Sequence, residues 1–347
     1  DDKSNAQHIK KNTNVFIFFP INHDCLFLYK FLLMHIPIVD LSHFLYGSDT
    51  QKKQFVLSLG SAFEEVGFVA VTNHGIDQQL ITDVYTAVKD FFQLPTDIKK
   101  SYELPGLAGQ RGYTSFGKEH AKGSDAPDLK EFFQYGQTVS DDSSNPENYP
   151  DNVQVAEIMS FNQALFQAYR SFEASGSALL RAIALYLELD ENFFKDHIHE
   201  GNSILRAIHY PPIVNEPRSS IRAEQHEDIN LITLLVGASA DGLEILSKNN
   251  EWLPVTAGSG EIVVNVGDML QRLTNNRLKS TTHRVVNPPR EMWSTSRFSI
   301  PFFLHPKSEM SLACLESCIT SDNPKQYADY TAGQYLDERL REIGLKK

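Results

Sequence analysis

A chain of 347 residues that is 41% hydrophobic can bury the core of one large domain or of two smaller ones. A formal charge of −12, with no basic run interleaved with aromatics, excludes the electrostatic footprint of a nucleic-acid binder. The three cysteines, with Cys314 and Cys318 four apart and no second such pair, make neither a disulfide framework nor a zinc ribbon and fit a reducing cytoplasm.

The N-terminal apolar stretch NVFIFFPINHDCLFLYKFLLMHIP is interrupted by Pro20, Asn22, His23, Asp24 and Lys30, too often for the roughly 20 apolar residues that cross a membrane. A signal peptide is the alternative, since Lys10 and Lys11 precede the apolar residues, but no small-residue cleavage site follows. The chain begins with Asp, and Met34 immediately precedes the first globular element. Residues 1–33 are therefore expected to be a non-native or disordered upstream extension.

A strand signal at Ile36 to Val39 comes first. Apolar residues Phe55, Val56, Leu59, Ala62, Phe63 and Val66 then recur at helical spacing, with Ser48 or Asp49 as the cap and an end near Gly67. GFVAVTNHG reads as a strand closed by a turn containing His74. Asp77 is placed to cap a second helix that buries Leu80, Ile81, Val84, Val88 and Phe91 and is stopped by Pro95. Gln110 to Pro150, rich in Gly, Asp, Ser and Pro, reads as a long loop and connector, and such loops often line sites.

From Val153 to Leu189 the period is helical, with a kink expected near Gly176. Beyond it the period becomes two: SILRAIHY, INLITLLV, LEIL, EIVVNVGDM, THRVVN and RFSIPFFL are short strand-like runs, and GSG at Gly258 to Gly260 suits a hairpin turn. Helices followed by many strands predict an α+β chain with an antiparallel sandwich or barrel in its second half. YLDERLREIGLKK reads as a closing amphipathic helix.

On a strand, residues i and i+2 face the same way, so His226 and Asp228 would project together with Glu227 on the opposite face. A third ligand is available in His283, 283 − 228 = 55 residues later. Two histidines and one carboxylate leave positions open on the ion, which suits Fe(II) oxygen chemistry. In STSRFSIPFF, Arg297 and Ser299 share a face and can hold a carboxylate, and Tyr210 can add a further hydrogen bond. Arg206 faces the same way as Tyr210, either toward an anionic substrate or into an outer salt bridge.

Each piece alone has a plainer reading. His-x-Asp can be a capped strand entry, Arg297 a rim salt bridge and Tyr210 a core residue. His209 and His305 read as packing groups or as supports around the ligands rather than as ligands, and Asp268 as a turn residue. In order on successive predicted strands, however, the ligand and clamp residues make a specific constellation.

With these residues in place, the sequence resembles the iron(II)- and 2-oxoglutarate-dependent dioxygenase superfamily, in its isopenicillin N synthase-like branch, from about Ile36 to His305. GFVAVTNHGI, RGYTSFGKE and PDLKEFF match its N-terminal blocks. HEDINLITLLV, GLEIL, EWLPV, VNVGDMLQRLTN, THRV and RFSIPFF match its C-terminal ones. The resemblance implies a double-stranded β-helix, or jelly roll, with flanking helices. It divides the chain into an N-terminal dioxygenase region at 34–150, a long helix and connector at 151–201, a jelly-roll core at 202–308 and a C-terminal helical segment at 309–347.

It also implies that His226, Asp228 and His283 bind Fe(II), that Arg297 and Ser299 clamp the far carboxylate of 2-oxoglutarate, and that Tyr210 matches the tyrosine of an NYYP-like stretch. Ile208 stands where plant members often have Asn. The implied reaction uses O2 and couples oxidative decarboxylation of 2-oxoglutarate to hydroxylation, desaturation or cyclisation of a small organic substrate. The implied protein is a monomer or weak homo-oligomer without a nucleic-acid or membrane partner. Three other readings share some of these residues: an oxidase that, like isopenicillin N synthase, does without 2-oxoglutarate; a zinc hydrolase; and a non-catalytic jelly-roll binding module. The absence of that synthase's distinctive C-terminal tail favours 2-oxoglutarate.

Overall fold

The structure is a computed structural model that describes residues 36–107, 109–119, 127–139, 149–217, 220–237, 241–342 and 345. The extension expected over residues 1–33, and the signal peptide weighed against it, lie outside these residues.

The chain opens with β1 (Ile38–Asp40), α1 (Leu41–Leu45), α2 (Asp49–Glu65), β2 (Phe68–Thr72), α3 (Gln78–Gln93) and α4 (Thr96–Ser101). The expected caps are present. Ser48 and Gln51 form a reciprocal capping box at the start of α2, and Asp77 Oδ1 accepts from the Leu80 N–H at 3.0 Å to open α3. Gly67, at φ +77°, ends α2 in the left-handed region.

The segment expected to be a loop and connector differs from that reading. It contributes β3 (Gly112–Thr114) and the fully buried β4 (Glu131–Gly136). The Gly-, Asp- and Pro-rich surroundings mask a six-residue strand, EFFQYG, that is buried on both faces and so shows little alternation of polarity.

α5 (Met159–Tyr186) is a single helix of 28 residues. Gly176 within it allows close packing, since a Cβ there would overlap the Leu304 side chain. After the short α6 (Lys195–Ile198) come β5 (Ile204–Tyr210), β6 (Ala223–His226), β7 (Ile232–Val236), β8 (Leu243–Leu246), β9 (Trp252–Pro254) and β10 (Ile262–Val266). These are followed by α7 (Asp268–Leu273), β11 (His283–Val285), β12 (Arg297–Leu304) and α8 (Ala332–Glu342). Every strand-like run predicted in this half contains a strand. Gly258 to Gly260 does lie in a turn, but it connects strands of two different sheets.

Eight strands form one sheet in the order β1-β2-β10-β7-β12-β5-β4-β3, and four form a second in the order β6-β11-β8-β9. Alternation sorts the larger sheet into two faces. Val69, Val71, Val264, Leu234, Phe302, Leu205 and Phe133 pack outward with α2, α3 and α5 in the main core. Phe68, Ala70 and Val263 point inward to Ile245 of the smaller sheet, and Phe132, Ile208 and Tyr210 point inward to Ala223 and Val285. The two sheets thus enclose an inner space, as a jelly roll does. Among the described residues, no helix is long and apolar enough to cross a membrane.

Candidate active site

The inner space is a cavity of about 490 Å³, and all seven predicted site residues line it: Arg206, Tyr210, His226, Asp228, His283, Arg297 and Ser299. His226 ends β6, and His283 opens β11 directly opposite it in the antiparallel register. Asp228 lies beyond the end of β6, so its approach to His226 is not the strand geometry expected. The chain turns at residues 227–231 instead, and this turn is held by Asp268 N donating to Asp228 O at 2.7 Å and Gly267 N donating to Leu231 O at 2.9 Å. Gly267 is required there, because a Cβ would overlap both the backbone and side-chain oxygens of Asn230.

One ligand atom from each of His226, Asp228 and His283 lies within 4.8 Å of the others. Their orientation is set by their neighbours. His226 Nδ1 donates to the Glu224 carbonyl at 2.7 Å and His283 Nδ1 to the Thr281 carbonyl at 3.1 Å, which leaves each Nε2 as a lone-pair donor. Asp228 Oδ2 accepts from Thr233 Oγ1 at 2.6 Å and from Asn265 Nδ2 at 2.8 Å, and Oδ1 lies 3.8 Å from His283 Nε2.

Burial alone would raise the Asp228 carboxyl, but His283, His226 and the two hydrogen bonds outweigh it and hold the group below the ordinary carboxylate value. Burial and the neighbouring His283 push His226 down to about 4, so its imidazole is neutral at pH 7. Two imidazoles that each present Nε2 and an ionised carboxylate are a donor set that fits a divalent transition ion with open positions. Glu227, placed by sequence on the opposite face, also lines the cavity, because the turn replaces the strand alternation, and accepts from Thr282 Oγ1 at 2.5 Å.

Arg297 and Ser299 share the inner face of β12, opposite Tyr210 and Ile208 of β5, while Phe298 turns outward to stack on His209 at 4.7 Å. The Arg297 guanidinium lies 5.0 Å from the centre of the Tyr210 ring and is buried. Tyr210 therefore offers Arg297 a ring face as well as a phenol. His209 is a packing group, bonded to Glu131 and Ser296. His74 sits in its turn, with Nδ1 accepting from the Ile76 N–H. His305, expected to be a packing group or a support around the ligands, lines the cavity, and burial pushes it down to about 4.

Several residues of this site were not foreseen. Arg222, buried beside the Tyr210 ring at 5.9 Å but not lining the cavity, is lowered to about 10 by burial and by the adjacent Arg297, so two guanidiniums lie beside one tyrosine. At another wall, Arg206 contacts Glu119 at 3.2 Å, and Lys130 bridges Glu119 at 2.6 Å and Asp128 at 2.8 Å. Arg206 and Lys130 overcome the effect of burial on Glu119 and bring it to about 2. Asn265, a polar residue inside the apolar run EIVVNVGDM, was one legible signal among these. Glu119 and Lys130 lie in the RGYTSFGKE and PDLKEFF blocks and in the segment expected to line a site, though no role was assigned to them, and Arg222 carried no signal.

Two family models match the chain: non-haem dioxygenase in morphine synthesis N-terminal over residues 36–156, and the 2OG-Fe(II) oxygenase superfamily over residues 201–306. Among curated proteins, the proline hydroxylase buaE of Petromyces alliaceus is 32% identical over 88% of this chain and 99% of its own length. A Caulobacter crescentus protein described as belonging to the 2OG-Fe(II) oxygenase family superposes with a TM-score of 0.79 at 43% identity, covering 89% of this chain and 99% of that one. A Neurospora crassa enzyme crystallised with alpha-KG and thymine superposes with a TM-score of 0.77 at 29% identity, covering 88% and 96%.

Proposed function

Because this chain belongs to the 2OG-Fe(II) oxygenase superfamily, whose usual reactants are 2-oxoglutarate and O2 at an Fe(II) centre, we propose that His226, Asp228 and His283 hold the iron and that Arg297 and Ser299 bind the far carboxylate of 2-oxoglutarate. The observation that carries this reading is the convergence of three ligand atoms within 4.8 Å, with both imidazoles oriented by backbone carbonyls. Bound there, Fe(II) would activate O2, the oxidant, whose four electrons would come two from 2-oxoglutarate, converted to succinate and CO2, and two from a small organic substrate, usually by hydroxylation.

The chain's own residues provide placement. Thr233 and Asn265 hold Asp228 by one oxygen, leaving the other for the ion. Arg297 meets a carboxylate with a planar pair of N–H donors, Ser299 adds a hydroxyl, and Tyr210 flanks the guanidinium. Arg222 adds positive charge to that corner, which favours an acid there. The burial of Arg297 keeps its charge away from bulk water and so strengthens its pull on a bound anion.

The test is anaerobic addition of Fe(II) and then 2-oxoglutarate to the intact protein and to Arg297→Ala, following the visible charge-transfer band of the chelate. The band is expected in the intact protein and is expected to weaken strongly in Arg297→Ala. Iron binding that depends on the three ligands without any band would instead place the chain with oxidases that draw their electrons from the substrate alone.

A further inference from the structure

The cavity has two ends of different electrostatic character. At one end Arg297 lines the cavity beside Tyr210, whose ring it shares with Arg222, a guanidinium that does not itself line the space. On the wall carrying Arg206, each cation already faces a carboxylate. Arg206 Nη1 donates to both Glu119 oxygens at 3.2 and 3.3 Å, and Lys130 Nζ pairs with Glu119 and Asp128. Two positive and two negative groups balance there. Arg339, which lines the cavity from α8, is likewise paired with Glu338 and Glu342.

Arg206 is held rigidly in this setting. Its Nε donates to Gln134 Oε1 at 2.9 Å, and its guanidinium lies 4.3 Å from the centre of the Phe132 ring and 5.3 Å from that of Phe303. Both Nε and Nη1 are committed, and among the described residues Nη2 has no hydrogen-bond partner, so it is the nitrogen left to face a ligand. His305 lines the same space. Its Nδ1 is buried with no hydrogen-bond partner, and among the described residues its Nε2 has no protein partner either.

Building on the iron and 2-oxoglutarate reading above, we propose that the molecule oxidised here is uncharged and presents a carbonyl oxygen, as in a cyclic amide or imide, to Arg206 Nη2, with His305 as its second polar contact. The reason is competition for one guanidinium. A substrate carboxylate on Arg206 would stand beside the buried Glu119 carboxylate, where like charges repel strongly in a low dielectric. A neutral carbonyl accepts from Nη2 without adding charge or paying to desolvate an anion. The Phe303 ring beside the guanidinium gives a flat ligand an apolar surface to lie against.

The test uses matched probes, uracil against orotate and 2-pyrrolidone against pyroglutamate, each pair differing by a carboxylate. Binding is measured by calorimetry on the full chain, both with Fe(II) and 2-oxoglutarate under anaerobic conditions and without either. In at least one pair the uncharged member is expected to bind about tenfold or more tightly than its acid. Arg206→Met is expected to remove that binding by about tenfold while changing 2-oxoglutarate affinity less than about twofold, and Glu119→Gln is expected to narrow the preference against the acid. Retained 2-oxoglutarate binding shows that Arg206→Met is folded, and Glu119→Gln tests the charge argument without removing the arginine. Equal or tighter binding of the acids, no binding of any uncharged probe, or an Arg206→Met loss shared equally by 2-oxoglutarate would overturn the proposal. Arg206-dependent probe binding in a chain that fails to bind 2-oxoglutarate would sink the cosubstrate assignment and leave this one standing.

Discussion

Thr233→Val removes one hydroxyl and almost no volume, and its effect should be read at the metal. Thr233 Oγ1 donates to Asp228 Oδ2 at 2.6 Å in a buried setting, and the remaining donor to that oxygen is Asn265 at 2.8 Å. A hydrogen bond to an ionised group contributes about 1.5–3 kcal/mol, so the metal-free protein should lose about that much unfolding free energy. The carboxylate, held afterwards by one donor, gains freedom to turn away from His226 and His283. Loss of such a supporting bond costs about 10–100-fold in metal affinity. Anaerobic Fe(II) titration against a competing chelator measures the affinity, and urea unfolding without metal measures the stability. Thr233→Ser keeps the hydroxyl and should restore most of the affinity. Metal affinity in Thr233→Val within about twofold of the parent, or a Ser variant as weak as Val, would refute the idea that this bond orients Asp228.

Two further perturbations follow from the same geometry. Gly267→Ala places a methyl group against Asn230, whose backbone belongs to the turn that carries Asp228. It should cost about 1–3 kcal/mol in a urea melt and weaken Fe(II) binding although residue 267 is no ligand, and an unchanged metal affinity would show that the turn absorbs the methyl without moving Asp228. Glu131→Gln leaves the buried Lys99 ammonium, now 2.8 Å from a carboxylate oxygen, without its counter-ion, at a cost of about 3–5 kcal/mol near neutral pH. Burial would raise Glu131, but bonds from His209, Lys99 and Tyr113 hold it below its ordinary value of 4.5. Its contribution is therefore complete above pH 4.5 and disappears as pH falls through the lower folded value, so parent and variant melts should converge in acid. A gap that stays constant down to that range would mean that the carboxylate charge is not what the variant lost.

Much of the fold was legible because it rests on short-range patterns. Ser48 and Asp77 cap the helices they were expected to cap, and the shift from a helical period to a period of two marks the passage from α5 into the strands. Strand β4 was hidden because Phe132 and Phe133 are both buried, one toward each face, which erases the alternation that announces a half-exposed strand. Asp228 reached its predicted partner by an unpredicted route, since a turn tied to Gly267 and Asp268 replaced the strand that i, i+2 spacing implied.

The sequence by itself determined which chemical groups were available and in what order: His226, Asp228, His283, Arg297 and Ser299, all but Asp228 carried on a strand whose local period constrains its direction. Only the tertiary structure decided what surrounds them. Asn265 reaches Asp228 across 37 residues of chain, and Arg206 reaches Glu119 across 87. Arg222 and Arg297 share a tyrosine because β12 pairs with β5, which sets Arg297 beside Tyr210. Such distances depend on strand register and on how two sheets face each other, and these are properties of the packed whole that no window of neighbouring residues contains.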